Sequence, residues 1–391
     1  MQQSSDRILT THTGSLPRPP ALAEAMVRRE RGELDAVSGE RLPEMVRSAV
    51  ADVVARQVRA GIDVVSDGEA GKIGYATYVK ERLSGFGGEG VALSVVADLD
   101  DFPGLAERAL AGLVTATPAC VGQVGYTGAA ALRDDLASFR AALDGAGVSE
   151  AFVPAASPGV ISLYLENRHY DSQESYLAAL AAAMREEYEA IVDAGFLVQI
   201  DSPDLAMGRH TQYARLDLGE FRRRLAQHVE AINEATRGID PTRVRVHLCW
   251  GNYQGPHHHD VALADIVDIV LTLRAQAIVL EASNPRHAHE WRVFEDVRLP
   301  DDKLLVPGVI DTSTNYIEHP EVVAERITRY AGVVGRERVI AGTDCGFATF
   351  ATFLPVMPEI AWAKLAALAE GARLASDRLW RRAPVGAGSG R

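Results

Sequence analysis

One phrase recurs along this chain and leaves it few folds to choose from. A helical stretch is followed by a short break, then an aliphatic run, then an acid. RAGIDVVSDGE ends at Asp67 and Glu69, DAGFLVQIDSP carries Asp201, and RAQAIVLEAS carries Glu281, with Gln276 where the other two have glycine. Runs of the same kind lie at Ile8–His12, Asp63–Ser66, Ala151–Ala155, Leu197–Asp201, Val244–Cys249, Ala277–Glu281, Leu304–Ile310 and Arg338–Thr343. Most are nearly continuous in Val, Ile and Leu rather than alternating. That pattern belongs to parallel strands covered by helices on their outer face.

Between the runs lie apolar residues spaced three and four apart. Leu42–Ala60 stops at Gly61 and Ser175–Ala194 stops at Gly195, which is the helix-and-stop signal. Leu218–Thr236, Ala262–Arg274 and Glu321–Val334 read as helices too. Eight strand–helix units point to an α/β fold, a closed (β/α)8 TIM barrel spanning residues 1–382 as one domain. In such a barrel the active site sits at the C-terminal ends of the strands. The acids above gather there.

Residues 84–127 break the rhythm. They are rich in Gly, Asp and Ala, and read as an excursion after the second strand, with a further strand at Cys120–Tyr126 and a hairpin. Gly85–Gly90 (GFGGEG) lacks the Lys-Ser/Thr of a phosphate loop and reads as linker. The tail Ala383–Arg391 is flexible by composition.

Charge excludes several function classes. With 40 basic against 53 acidic residues the formal net charge is −13, and no long basic block occurs. Nucleic acid and anionic membrane are therefore unfavourable partners. Arg222, Arg223 and Arg224 sit in a helical stretch and read as a solvated face. No apolar run is long enough to span a membrane, and no secretory leader is evident. A cytoplasmic location is expected, where thiols stay reduced. The three cysteines, Cys120, Cys249 and Cys345, are too few for a disulfide framework.

Two of those cysteines fall at strand ends. VRVHLCW sets His247 and Cys249 two residues apart on a strand, so both face one side. AGTDCGF puts Cys345 just past another strand end, and IVLEAS puts Glu281 at a third. One His, two Cys and one Glu make a tetrahedral set suited to Zn²⁺. Packed core thiols beside a satisfied histidine are the plainer alternative. Two thiolates and a carboxylate on zinc leave a net negative site, poor at activating water but suited to keeping a bound thiol deprotonated. Glu281, the hardest ligand, is the one an incoming thiolate would displace, giving it a catalytic part. Asp344 could orient a ligand. His257, His258 and His259 read as a loop, with a second metal site or proton relay as the alternative. A zinc hydrolase and a metal-free barrel remain as rivals.

Six stretches carry a resemblance: TTHTGSLPRP at Thr10–Pro19, SDGE at Ser66–Glu69, QIDSP at Gln199–Pro203, HLC at His247–Cys249, LEAS at Leu280–Ser283 and DCGF at Asp344–Phe347. In this order they resemble the catalytic half of cobalamin-independent methionine synthase. The resemblance implies zinc ligation by His247, Cys249, Glu281 and Cys345. It also implies that Ser15 holds the carboxylate of homocysteine, and that Glu69 and Asp201 hold its amino group. Methyl transfer from an alkyl donor to a small thiol follows. Ser202 stands where the family has a second acid, Ser313 falls near its histidine proton donor, and no second barrel is present. CWGNYQGPHHHD, at Cys249–Asp260, resembles the single-barrel branch that includes epoxyalkane:coenzyme M transferase, where a zinc-bound thiolate opens an epoxide.

Overall fold

The computed structural model describes residues 1–88, 90, 96–110, 117–351 and 354–380. Eight strands form one sheet: β1 (Leu9–Thr10), β2 (Val64–Ser66), β3 (Glu150–Ala156), β4 (Leu197–Asp201), β5 (Val244–Leu248), β6 (Ala277–Glu281), β7 (Leu304–Ile310) and β8 (Ile340–Thr343). Their spatial order is β1-β8-β7-β6-β5-β4-β3-β2, with every ladder parallel. The two outer strands meet as well. Asp63 N donates to Thr10 O at 3.1 Å and Thr11 Oγ1 to Val64 O at 3.0 Å, so the ring closes. This is the expected (β/α)8 barrel.

The helices begin and end where their capping chemistry allows. Ala36–Ala60 starts with Asp35 accepting from Ser38 N and ends at Gly61, whose φ of 84° is easy for glycine alone. Ser172 caps Gln173–Asp193. Asp217 and Glu220 form a reciprocal capping box on Leu218–Ala235. Pro320–Val334 opens with proline in its first turn.

Two local expectations fail. Ala262–Arg274 is not one helix but a 3-10 turn, Leu263–Asp265, and a single helical turn, Val267–Val270. The run is rich in β-branched residues, among them Ile266, Val267, Ile269 and Val270, which resist a continuous helix. In the excursion the strand is Ala119–Cys120, paired antiparallel with Phe86–Gly87, and not Cys120–Tyr126. The Cys120 amide donates to Glu166 O, and the amides of Val121 and Gly122 both fall on Gly85 O, where the regular ladder ends. The Cys120 thiol is buried and its pKa is raised by that burial. The tail 383–391 lies outside the described residues. Among the described residues no helix is long and apolar enough to cross a membrane.

Register brings the functional ends together. Asp201 pairs with His247 across β4 and β5, and Glu281 pairs with Gly308 across β6 and β7. A register shift between Gly342 and Thr343 then turns the chain toward Asp344 and Cys345. Gly308 is forced by this approach. A Cβ there would lie 2.4 Å from the Asp344 backbone. Gly308→Ala should therefore lower stability by about 1–3 kcal/mol in urea unfolding. An unchanged midpoint would show that the close approach does not constrain the fold.

Candidate metal centre

His247 and Cys249 leave β5 on the same face, as their spacing required, and Cys345 reaches them from the end of β8. Each offers a ligand atom within 4.8 Å of the other two, and all three side chains are buried. Neither ring nitrogen of His247 finds a hydrogen-bond partner. The Val279 backbone favours its proton slightly but is too poorly aligned to count as a bond. Burial, with the Arg245 cation adding to it, pushes the imidazole pKa down to about 3, so the ring is neutral and its lone pair is available. The hydrogen bond with Cys345 and burial hold the Cys249 thiol well above its usual range. A buried neutral imidazole without partners, facing two thiols, is the donor set of a soft or borderline metal ion. These residues fit zinc.

Glu281 stands beside this set rather than within it. Trp250 N donates to Oε1 at 2.8 Å and Asn284 Nδ2 to Oε2 at 3.0 Å. Burial raises its carboxyl pKa. Asp344 is committed to the backbone. Its Oδ1 accepts from the amides of Ala282 (2.8 Å) and Ser283 (2.9 Å), and Oδ2 from Asn284 N (2.8 Å). It thus shapes the loop that presents Glu281 and Asn284. Asn252 straps the opposite side, donating to Gly346 O at 2.9 Å and accepting from Thr312 at 3.0 Å.

The other expected residues line the adjoining floor. Glu69 has a left-handed φ of 54°, a strained conformation for a residue with a side chain, and its Oε2 is buried without a partner. Burial raises the pKa of both Glu69 and Asp201, and each carboxyl's negative neighbours push further: Asp67 for Glu69, Glu69 for Asp201. Ser15 is buried against the loop of Cys345. The Gly346 backbone comes so close that a Cβ would sit 2.0 Å from Ser15 Oγ.

Several participants were missed in the sequence. Lys72 donates to Pro154 O and its charge opposes the raised pKa of Glu69 and Asp201. Arg245, fully buried, donates to Thr11 Oγ1 and His12 O, each at 3.0 Å, and lies 4.1 Å from the centre of the Phe152 ring. Strand alternation held the signal for Arg245: it precedes His247 by two residues, so it must point into the barrel. Asn252 and Asn284 left no such trace.

His287 lies behind Glu281 and stacks on Trp250 at 3.8 Å between ring centres. Its Nε2 faces Asp260 Oδ2 at 2.7 Å and its Nδ1 faces Glu290 Oε2 at 2.9 Å. Burial opposes a charge here, but the two carboxylates outweigh it and raise the pKa to about 9. A folded pKa above the unfolded one, near 6.5, stabilises fully below pH 6.5, and the gain is lost as pH rises through 9. His287→Gln should therefore cost most at pH 6, up to about 3 kcal/mol, with the gap to the native chain closing by pH 9.5. Urea unfolding at three pH values checks this, and a gap independent of pH would contradict it.

Comparisons with known proteins show the family and the fold. A family model described as "Cobalamin-independent synthase, Catalytic domain" matches residues 8–96 and 161–362. A methionine synthase of Saccharolobus solfataricus is 25% identical over 377 residues, covering 95% of this chain and 96% of that one. One from Thermococcus kodakarensis is 26% identical over 373 residues, covering 95% and 94%. Among solved structures, a B12-independent methionine synthase from Shewanella sp. W3-18-1, in complex with selenomethionine, superposes with a TM-score of 0.74 at 21% identity, covering 95% of this chain and 99% of that one. A putative vitamin-B12 independent methionine synthase from Listeria monocytogenes gives 0.63 at 19% identity, covering 96% and 100%. The chain belongs to the family of cobalamin-independent synthase catalytic domains.

Proposed function

We propose that this chain is a zinc-dependent methyltransferase that alkylates the sulfur of an amino-acid thiol such as homocysteine. The observation that carries this reading is the partnerless imidazole of His247 facing Cys249 and Cys345, next to a buried pair of carboxyls. The residues that would hold the zinc are His247, Cys249 and Cys345, with Glu281, held beside them by Trp250 and Asn284, as the fourth. When bound, the metal supplies a soft electron acceptor that lowers the pKa of a thiol reaching it.

The chain's own residues do the rest. Glu69 and Asp201 repel one another in a buried setting, and an ammonium placed between them relieves that repulsion. Ser15 sets a hydroxyl on the Cys345 side for the substrate carboxylate. Glu281 would be the hard member of a soft set and the ligand most easily replaced by sulfur, and its carboxylate could accept the proton of an incoming thiol. Trp250 and Asn284 hold that carboxylate in place beforehand, and burial keeps water from competing for the alkyl group. Positioning of thiol and donor would then supply most of the rate enhancement.

The named relatives favour methyl transfer over epoxide opening. They match over nearly their own full length, so one barrel of this size is enough to carry the activity their name describes. With the Glu281 carboxylate added to two thiolates, the donor set would leave zinc net negative, which is poor at activating water and argues against a hydrolase.

Zinc-edge X-ray absorption should gain a Zn–S contribution when homocysteine is added. A donor set that stays unchanged with every thiol tried would reject the reading. Glu69→Gln and Asp201→Asn should each raise KM for homocysteine by roughly tenfold to a hundredfold, the worth of a charged hydrogen bond. A thiol without an amino group should feel neither change. An equal loss for both thiols would point to a structural role instead.

A further inference from the structure

A second group of ligand-type side chains lies behind Glu281, apart from the thiols. Asp98, His210 and Asp260 each present an atom within 4.8 Å of the other two. They come from three separate stretches: the excursion between β2 and β3, the 3-10 turn Met207–His210 after β4, and the loop between β5 and β6. All three side chains are fully shielded from solvent.

What marks this group off from an ordinary buried network is the set of atoms left unused. His210 Nε2 lacks any partner although the ring is buried. His210 Nδ1 and Asp260 Oδ1 stand 2.8 Å apart as an ion pair, without the alignment of a hydrogen bond. Neighbouring ligands on one octahedral ion come to about 3 Å of each other when each bond is about 2.1 Å. The remaining oxygens are in use. Asp260 Oδ2 faces His257 Nδ1 at 2.8 Å and His287 Nε2 at 2.7 Å. Asp98 accepts from the Tyr253 hydroxyl at 2.5 Å and from His259 N at 2.9 Å, and its Oδ1 faces His258 Nδ1 at 2.8 Å. A buried imidazole nitrogen without a partner is costly, and one cation would satisfy it together with the carboxylates that face the ring. The neighbouring pair His258 and His259 shows no such vacancy: both rings are partly exposed and hydrogen-bonded to Asp101.

We infer that Asp98, His210 and Asp260 form a second metal site, distinct from the thiol site and selective for a hard or borderline divalent cation such as Mn²⁺ or Co²⁺. Two carboxylates and one imidazole are the donors such ions prefer, whereas the cysteine pair prefers soft ones. An ion here cross-links the excursion to the loop after β5. That loop also carries Asn252 and the Trp250 amide bonded to Glu281, so occupancy stiffens one wall of the thiol site.

The test uses the full chain, stripped of metal and reloaded with Co²⁺. The expected result is two equivalents per chain, one showing sulfur-to-cobalt charge-transfer absorption and one lacking it. The double variant Cys249→Ser, Cys345→Ser should keep only the equivalent without that band. His210→Ala and Asp260→Asn should each keep the band and lose the other equivalent. A single equivalent in the native chain overturns the proposal, as does a second equivalent untouched by both variants. If either variant fails to fold, paramagnetic resonance of Mn²⁺ bound to the native chain decides. Nitrogen hyperfine coupling from one imidazole is expected, and its absence overturns the assignment.

Discussion

A parallel strand must be followed by a chain segment that returns to the starting edge, so all strands in such a sheet run the same way. When the sheet closes on itself, their C-terminal ends form a single ring. Everything chemical in this protein depends on that constraint. His247, Glu281 and Cys345 are far apart in sequence, yet the ladders β5–β6–β7–β8 bring them to one rim. The close approach of Gly308 to Asp344 and the turn after Gly342 complete the placement.

Beneath that rim the barrel interior is unusually charged. Arg245 is buried below His247, and Lys72 lies beside the Glu69 and Asp201 carboxyls. These cations partly offset the cost of burying carboxyls without ion-pairing them outright. The Arg245 charge also disfavours a proton on His247, which keeps the imidazole free as a donor. On the outer side, His287 lies between Asp260 and Glu290 and supports the indole of Trp250, whose amide holds Glu281. The thiols and imidazole, the Glu69 and Asp201 carboxyls, and His287 are therefore linked through one buried set of charges.

The plain alternatives weighed for the cysteines separate along the same lines. Cys120 is buried in the excursion, away from any ligand-type group among the described residues, and is an ordinary apolar-site thiol. Cys249 and Cys345 face each other and a histidine. The expectation for His257, His258 and His259 holds in a divided form. The three do not face one point. His257 turns inward to Asp260, helped by its left-handed φ of 54°, while His258 bridges Asp98 and Asp101 and His259 reaches Asp101.

Much of this architecture was legible from residue order alone. Aliphatic runs bounded by glycine and acid mark strands because a covered parallel strand must be apolar on both faces. The i, i+2 spacing of His247 and Cys249 puts them on one side because strand geometry allows nothing else. Helix limits at Gly61 and Gly195 follow from the left-handed turn each requires. Local pattern did not reveal which polar groups end up as neighbours. That Asp344 serves three amides of another loop, that Lys72 reaches the acids, or that Asp98 and His210 converge on Asp260 is decided by barrel closure and loop docking. Contacts across such sequence distances leave no periodic trace, because each side chain alone looks like any surface polar residue.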